Sequence, residues 1–291
     1  MSTYQNLNKA FYWVVEEVLT HGEVVKARGS EQKELCFYNV TIDDPTDLLI
    51  TYPSRKFKPD YAITEWLWYL SHDRSTKNIG KMAKIWDMIK DERGECESNY
   101  GTYMFPICAA YPSQWEWVVN ELKNDKDSRR ATIAINQPYH KNWDQNSKDI
   151  PCTQFVQFFI RNDELTMGVY MRSNDVVFGF CNDIFTFALF HQLLYNDLKS
   201  HYPNLKLGRY SHNAGSMHIY ERHYNMAENI MKDGAKYYST DSPKIKLNSD
   251  ITSEYILKNK LYLPSRDMDK DEIINRSNDL KKVLIEEVTN G

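Results

Sequence analysis

The sequence predicts a mixed α/β (α+β) globular fold. Runs with apolar residues at helical spacing alternate along the chain with runs of period two, so both element types belong to one architecture. Over its 291 residues the chain is 42% hydrophobic and 26% charged, a balance that suits a globular enzyme with a sizeable core. Net charge is −4, so no global basic field draws in a nucleic-acid polymer, and any anion must be held by a local arginine cluster. Five cysteines stand at 36, 96, 108, 152 and 181 with no C-x-x-C pair. That pattern points to reduced thiols, a cytoplasmic protein and no metal site. No secretory leader is expected from the amphipathic N-terminus, and no apolar run reads as a membrane span of roughly 20 residues.

Taken in order, Asn6–Leu19 places Leu7, Ala10, Phe11, Val14, Val15 and Val18 on one helical face, and His21-Gly22 stops it. Glu23–Lys26 is short and β-like, and Glu34–Ile42 alternates as a strand. Residues 43–59 are turn-rich, with Arg55, Lys56 and Lys58 forming either a phosphate-binding loop or a solvated basic one. Tyr61–Ser71 is a strongly apolar helix carrying one charge, Glu65, among Trp66, Trp68 and Tyr69. A carboxylate there is costly to desolvate unless it has a partner or a task. Helices are expected over Ala83–Asp91 and Pro112–Asn124, the second capped by Ser113, with a β-like run at Ala131–Asn136.

The richest stretch runs from Asp149 to Asp183. Cys152 lies between Pro151 and Thr153, followed by alternating runs Gln154–Arg161 and Leu165–Met171 that read as a hairpin. Arg172, Ser173, Asn174 and Asp175 follow, then Gly179, and Asn182-Asp183 open the helical run Ile184–Leu198. A nucleophilic thiol, a fixed cation and several carboxyl or amide groups so close together exceed what a core hairpin requires. His191 reads as a core histidine. Leu207–Tyr220 contains a β-like GSMHIY with His218 and Tyr220 on one face, and Arg222–Lys232 is helical. Residues 233–291 turn rich in Lys, Asp, Asn and Ser, with a charged helix from Lys270 to Val288. The chain therefore divides into a catalytic domain, 1–232, and a charged extension or small subdomain, 233–291.

Several of these motifs, in this order, resemble the thymidylate synthase superfamily, and most closely its phage-type deoxycytidylate (dCMP) hydroxymethylases. They are Glu65 in E-x-L-W, Trp86-Asp87, Tyr100-Gly101, Ser128-Arg129-Arg130, Pro151-Cys152, Arg172-Ser173-Asn174-Asp175, Gly179, Asp183 and His218-x-Tyr220. The resemblance covers roughly residues 5–232. It implies a large mixed β-sheet flanked by helices, two subunits packed sheet against sheet, and arginines shared across that interface. It also implies 5,10-methylenetetrahydrofolate as co-substrate and a pyrimidine nucleoside monophosphate as substrate, with neither membrane nor direct nucleic-acid binding.

By the same resemblance Cys152 is the nucleophile at pyrimidine C6, while Glu65 and Tyr100 organise water and proton transfers. Arg172 and Ser173 hold the phosphate together with Arg129 and Arg130 of the other subunit. Asn174, His218 and Tyr220 hold base and sugar, and Asp175, Trp86 and Gly179 lie toward the folate. Arg28 and Arg55 are further phosphate candidates. Asp183 departs from the synthases, which carry Asn here. A carboxylic acid that keeps its proton can donate to cytosine N3 and accept from its 4-amino group, so Asp183 favours dCMP over dUMP. Thr153 and Met171 depart likewise. The expected reaction is 5-hydroxymethyl-dCMP formation in the cytoplasm, that of the host if the chain is phage-encoded. A dCMP methyltransferase, a dUMP or CMP hydroxymethylase and a non-catalytic nucleotide-binding homologue are the alternatives.

Overall fold

A computed structural model describes residues 2–27, 29–106, 112–141 and 148–289. Arg28 and Cys108 lie outside the described residues, as does part of the loop before Cys152. The chain opens with strand β1 (Ser2–Tyr4) and helix α1 (Leu7–His21). Asn6 caps α1 by accepting from Lys9 N, and the six apolar residues expected on one face are all buried. Strands β2 (Glu23–Ala27) and β3 (Ser30–Ile42) form a hairpin, so β3 begins four residues earlier than its alternation suggests. Helix α2 (Pro59–Leu70) starts on a proline, whose missing N–H costs nothing in the first turn. Its residues from Ala62 to Leu70 are buried all round, Glu65 included.

Four shorter helices follow: α3 (Ile79–Met82), α4 (Lys84–Ile89), α5 (Gly101–Met104) and α6 (Gln114–Asn124). A reciprocal capping box between Ser113 and Glu116 fixes the start of α6. Helix α4 covers only part of the expected 83–91 run. Next come β4 (Thr132–Ala134), β5 (Thr153–Arg161) and β6 (Glu164–Met171). The β5–β6 turn needs only Asn162 and Asp163, both in the left-handed region at φ 52° and 59°. Such a turn matches the natural twist of two antiparallel strands. A two-residue strand β7 (Asn174–Asp175) leads into a wide π-turn, Val176–Phe180, continuous with helix α7 (Cys181–Lys199).

The α7 segment, 176–199, is long and apolar enough to cross a membrane, contrary to the sequence expectation that no such run exists. It is instead the central core helix, 78% buried by the rest of the chain. His191 on it is fully buried, 2.8 Å from Leu165 O, and burial pushes its imidazole down to about 4. Strand β8 (Lys206–Tyr220), at 15 residues, is two and a half times as long as the β-like GSMHIY legible in the sequence. It is followed by α8 (Tyr224–Tyr237), β9 (Lys244–Leu247), α9 (Ser253–Asn259), α10 (Lys270–Leu284) and β10 (Ile285–Val288).

The main sheet is mixed, with order β1-β3-β8-β6-β5-β4, β2 beside β3 and β7 beside β8. Strand β8 runs antiparallel to β3 and parallel to β6. The expected large mixed sheet flanked by helices is what the chain forms. The charged helix expected to reach Val288 ends at Leu284 instead. Ile285–Val288 pairs with Lys244–Leu247, burying Ile285 beside Leu247. The Gln192 amide on α7 accepts from Leu247 N at 2.8 Å and donates to Ile245 O at 3.1 Å, tying this hairpin to the core helix. The Ser277 hydroxyl on α10 stands 3.0 Å from that of Thr64, beside Glu65 on α2.

Candidate active site

Cys152 is half-buried at the mouth of β5, where the chain enters the sheet. Arg172 leaves the far end of β6, directly across the hairpin. Its backbone N donates to Cys152 O at 2.8 Å, and its guanidinium donates to Ile150 O at 2.7 Å and Pro151 O at 3.3 Å. Thiol and cation are thereby fixed side by side, and three of the five guanidinium N–H donors remain for a ligand. Ser173 is the next residue, partly exposed.

A buried acid group is linked to the thiol through Tyr100. Glu65 on α2 and Asp183 in the first turn of α7 are both pushed far above the ordinary carboxylate range. Burial raises Glu65 to about 8, with the Asp183 charge adding to it. Burial raises Asp183 to about 7, with the Asp175 charge adding and a bond from Asn174 opposing. Charging one acid opposes charging the other, so both hold protons readily near neutrality. Tyr69 donates to Glu65 at 3.3 Å. Tyr100 is stacked between Tyr69 and Phe187, at 5.1 and 5.7 Å. Burial raises its hydroxyl most, and the charges of Asp183 and of Cys152 raise it further. Tyr100 thus joins the thiol to the acids in one cluster.

Asn174 closes the group from β7. Its Nδ2 donates to Asp183 Oδ2 at 2.7 Å, and its Oδ1 faces His212 Nε2 at 2.9 Å. Gly179 is placed here by necessity. A Cβ on it would come within 2.9 Å of Asn174 Nδ2 and 3.4 Å of Asp183 Oδ2. Only glycine lets the π-turn pass so close to the pair, a role apart from the folate contact expected of it.

Asp175, one residue beyond Asn174, behaves oppositely to Asp183. Its Oδ2 caps the π-turn by accepting from Phe178 N at 2.8 Å and Gly179 N at 3.4 Å. Although burial opposes ionisation, the His223 imidazole beside it, the Phe178 N–H donor and the nearby His218 hold it below its ordinary value. Its Oδ1 is 3.9 Å from His223 Nδ1, too long for a hydrogen bond, and stays without one. His218 and Tyr220 pack edge to face at 4.8 Å, and His218 Nε2 is buried without a partner. Trp86 donates to Tyr61 at 3.0 Å and packs on Trp68 at 4.7 Å, at the rim formed by α4.

Two predicted residues are not brought to this cluster. Ala131 O accepts from Phe158 N, so Arg130 and Arg129, one and two residues further back, lie level with the far end of β5. At about 3.3 Å per residue they sit roughly 20–25 Å along the strand from Cys152. Both are exposed, and Arg130 pairs with Glu121 at 2.8 Å. They cannot share an anion with Arg172 of their own chain. Arg55, read as part of a basic loop, is instead buried. Its guanidinium covers the Phe178 ring at 4.7 Å, and its Nε lacks a hydrogen bond.

Sequence reasoning missed Tyr61, Tyr69, His212, Tyr210 and His223. The two tyrosines of α2 share Glu65's helical face, at i−4 and i+4, which is a legible signal. Tyr210 and His212 alternate with Ala214 on the inward face of β8, but the glycines at 208 and 215 blur that pattern. Among the described residues no group of three or more His, Cys, Asp or Glu could hold a metal ion.

A family model described as thymidylate synthase matches residues 9–262. The chain is similar to the deoxycytidylate 5-hydroxymethyltransferases of Enterobacteria phage T6, at 34% identity over 181 residues, covering 60% of this chain and 72% of that protein. It is 33% identical to that of phage T4 over 186 residues, covering 62% and 74%. Among solved structures, the thermostable thymidylate synthase A from Bacillus subtilis superposes with a TM-score of 0.70 at 18% identity, covering 97% of this chain and 95% of that one.

Proposed function

The chain belongs to the thymidylate synthase family, and from that premise we propose that it transfers a one-carbon unit to C5 of dCMP and hydrates it to 5-hydroxymethyl-dCMP. One observation carries the choice of base. Asp183, which shares Tyr100 as a neighbour with Cys152, is an acid held protonated to about pH 7. A proton-bearing oxygen donates to cytosine N3, and the carbonyl oxygen accepts from the 4-amino group. Uracil offers N3–H and a carbonyl, so it would leave a buried donor and acceptor unmatched.

The chemistry follows from the residues. Cys152, as thiolate, bonds to C6 of the pyrimidine and makes C5 nucleophilic. Arg172 beside it favours the anion. The co-substrate, 5,10-methylenetetrahydrofolate, supplies the carbon at the oxidation level of formaldehyde. Among the described residues Asp175 Oδ1 is a buried acceptor without a hydrogen bond, and Phe178, three residues on, is 39% exposed, so the residues fit a flat heterocycle bearing N–H groups. Glu65, protonated to about pH 8, can hand a proton to or take one from water in the cleft. Once C5 has gained the carbon, its hydrogen leaves as a proton and the bond from that carbon to the co-substrate nitrogen breaks, releasing tetrahydrofolate; water then adds its hydroxyl at the exocyclic carbon, giving up a proton, and Cys152 leaves C6 as thiolate. Arg172 and Ser173 would hold the phosphate, and His218 and Tyr220 the sugar.

The open face of the sheet supports a homodimer. Phe37 and Phe155 lie on it 82% and 42% exposed, with Tyr170 stacked on Phe155. A second copy packed there would cover these rings and carry Arg129 and Arg130 to the neighbouring site, a placement consistent with their distance from their own Cys152. A cytoplasmic enzyme that supplies a modified nucleotide for DNA is the setting this reading implies.

The deciding experiment incubates dCMP, dUMP and CMP with methylenetetrahydrofolate and weighs the products. A gain of CH2O on dCMP is expected. A gain of CH2 would instead identify a methyltransferase, and preference for dUMP would remove the base assignment. Cys152→Ala should abolish product, and retained turnover would remove the nucleophile. Tritium release from 5-labelled dCMP separates an enzyme from a nucleotide-binding homologue, which would exchange nothing.

A further inference from the structure

Asp183 ends a buried chain of hydrogen bonds that fixes its own orientation. Asn174 donates from Nδ2 to Asp183 Oδ2 at 2.7 Å, which leaves the Asn174 Oδ1 as an acceptor. His212 Nε2 lies 2.9 Å from that oxygen and must therefore donate, carrying the ring proton. Its Nδ1 is then a lone pair, so the Tyr210 hydroxyl, 3.0 Å away, must donate to it. Burial pushes the His212 imidazole down to about 3, so the ring is neutral and holds one proton. Phe180 packs edge-on against it at 5.4 Å and holds its plane. Every bond points the same way, from Tyr210 through His212 and Asn174 to Asp183 Oδ2.

We propose that Tyr210 and His212 are positioning residues for base selection, because they fix the Asn174 amide so that Asp183 presents its acid proton on Oδ1. With Oδ2 already accepting from Asn174, Oδ1 is the oxygen that carries the proton and faces outward. A chain running the other way would place an acceptor against Asp183 and draw the proton inward, leaving cytosine N3 without a donor. The inference rests on the reading of Asp183 as the base-recognising acid. It adds two residues, neither of which touches substrate.

The test compares kcat/KM for dCMP and dUMP in His212→Phe and His212→Gln. Phenylalanine keeps the ring and removes the donor, freeing the Asn174 amide to turn over. The dCMP/dUMP ratio should fall about tenfold or more, since a buried group is then mismatched to the base. Glutamine restores an N–H at the Nε2 position and should recover most of the ratio. An unchanged ratio in a folded His212→Phe protein overturns the relay while leaving dCMP hydroxymethylation intact. Wild-type protein that does not act on dCMP overturns the underlying reading instead, and this one with it. The 15N shifts of His212 in the wild-type protein test the same point without a variant: an Nε2–H tautomer supports the relay, and an Nδ1–H tautomer overturns it.

Discussion

Asp175 and Asp183 stand at the two ends of one turn, and the protein treats them in opposite ways. Both are hemmed in by protein, so burial alone would raise both. Asp175 sits at the start of the π-turn, where Phe178 N and Gly179 N point at it and His218 and His223 flank it. Those donors and imidazoles outweigh burial and keep it an anion. Asp183 lies one turn into the helix, past the unpaired N–H groups. It receives a single neutral bond from Asn174 and faces the charge of Asp175 itself. Eight residues therefore separate a fixed anion from an acid that titrates near neutrality. Electrostatic surroundings, rather than residue type, decide which carboxyl can donate a proton.

Asp183→Asn should break the contrast outright. The amide cannot move a proton between its two atoms; turned with its oxygen toward N3–H and its nitrogen toward O4 it matches uracil, so the dCMP/dUMP ratio of kcat/KM should fall by about tenfold or more. Steady-state assays on both nucleotides check this. Raising the pH sharpens the contrast without a mutation. As the pH rises through about 7, Asp183 loses its proton and kcat/KM for dCMP should decline. Glu65, Tyr61, Tyr69 and Tyr100 face the same cleft, and a second loss near pH 8 belongs to Glu65. Stability follows the same sign. Both acids titrate higher folded than unfolded, so their contribution is complete below the ordinary carboxylate range and disappears as pH rises through about 7 and 8. The slope of melting temperature against pH in this window should flatten in Asp183→Asn.

Gly179→Ala acts on both carboxyls at once by wedging a methyl against Asn174 Nδ2. It should cost about 1–3 kcal/mol in denaturant unfolding, as overpacking does, and weaken the bond that pulls Asp183 down. The smallest effect is expected from Asp175→Asn. Asparagine still caps the turn, so stability should fall by only about 1 kcal/mol or less. With its anionic neighbour gone, Asp183 should titrate lower, a shift read by 13C-carboxyl NMR. An Asp183 that titrates unchanged would show that burial and the Asn174 bond, without the Asp175 charge, set its value.

Much of the site was legible because its chemistry sits in consecutive residues. Cys152 and the run Arg172–Asp175 lie at the two ends of a hairpin with a two-residue turn, and period-two pairing must bring such ends together. Glu65 was conspicuous as the one charge in an apolar helix. The arginine pair was equally visible, yet its distance from Cys152 emerges only from the β4–β5 register. Arg55 reads as a loop cation, but tertiary packing buries it on Phe178.

The sequence by itself determined the mixed α/β class, the amphipathic helices, the central hairpin and the cysteine, arginine and acids of the site, because local periodicity and residue chemistry need no distant partner. Only the tertiary structure decided that β8 runs its full length, that residues 285–288 leave the last helix to pair with β9, and that His212 meets Asn174. It also decided that two aspartates with the same intrinsic acidity differ, since solvation and neighbouring charge arise from segments far apart in the chain.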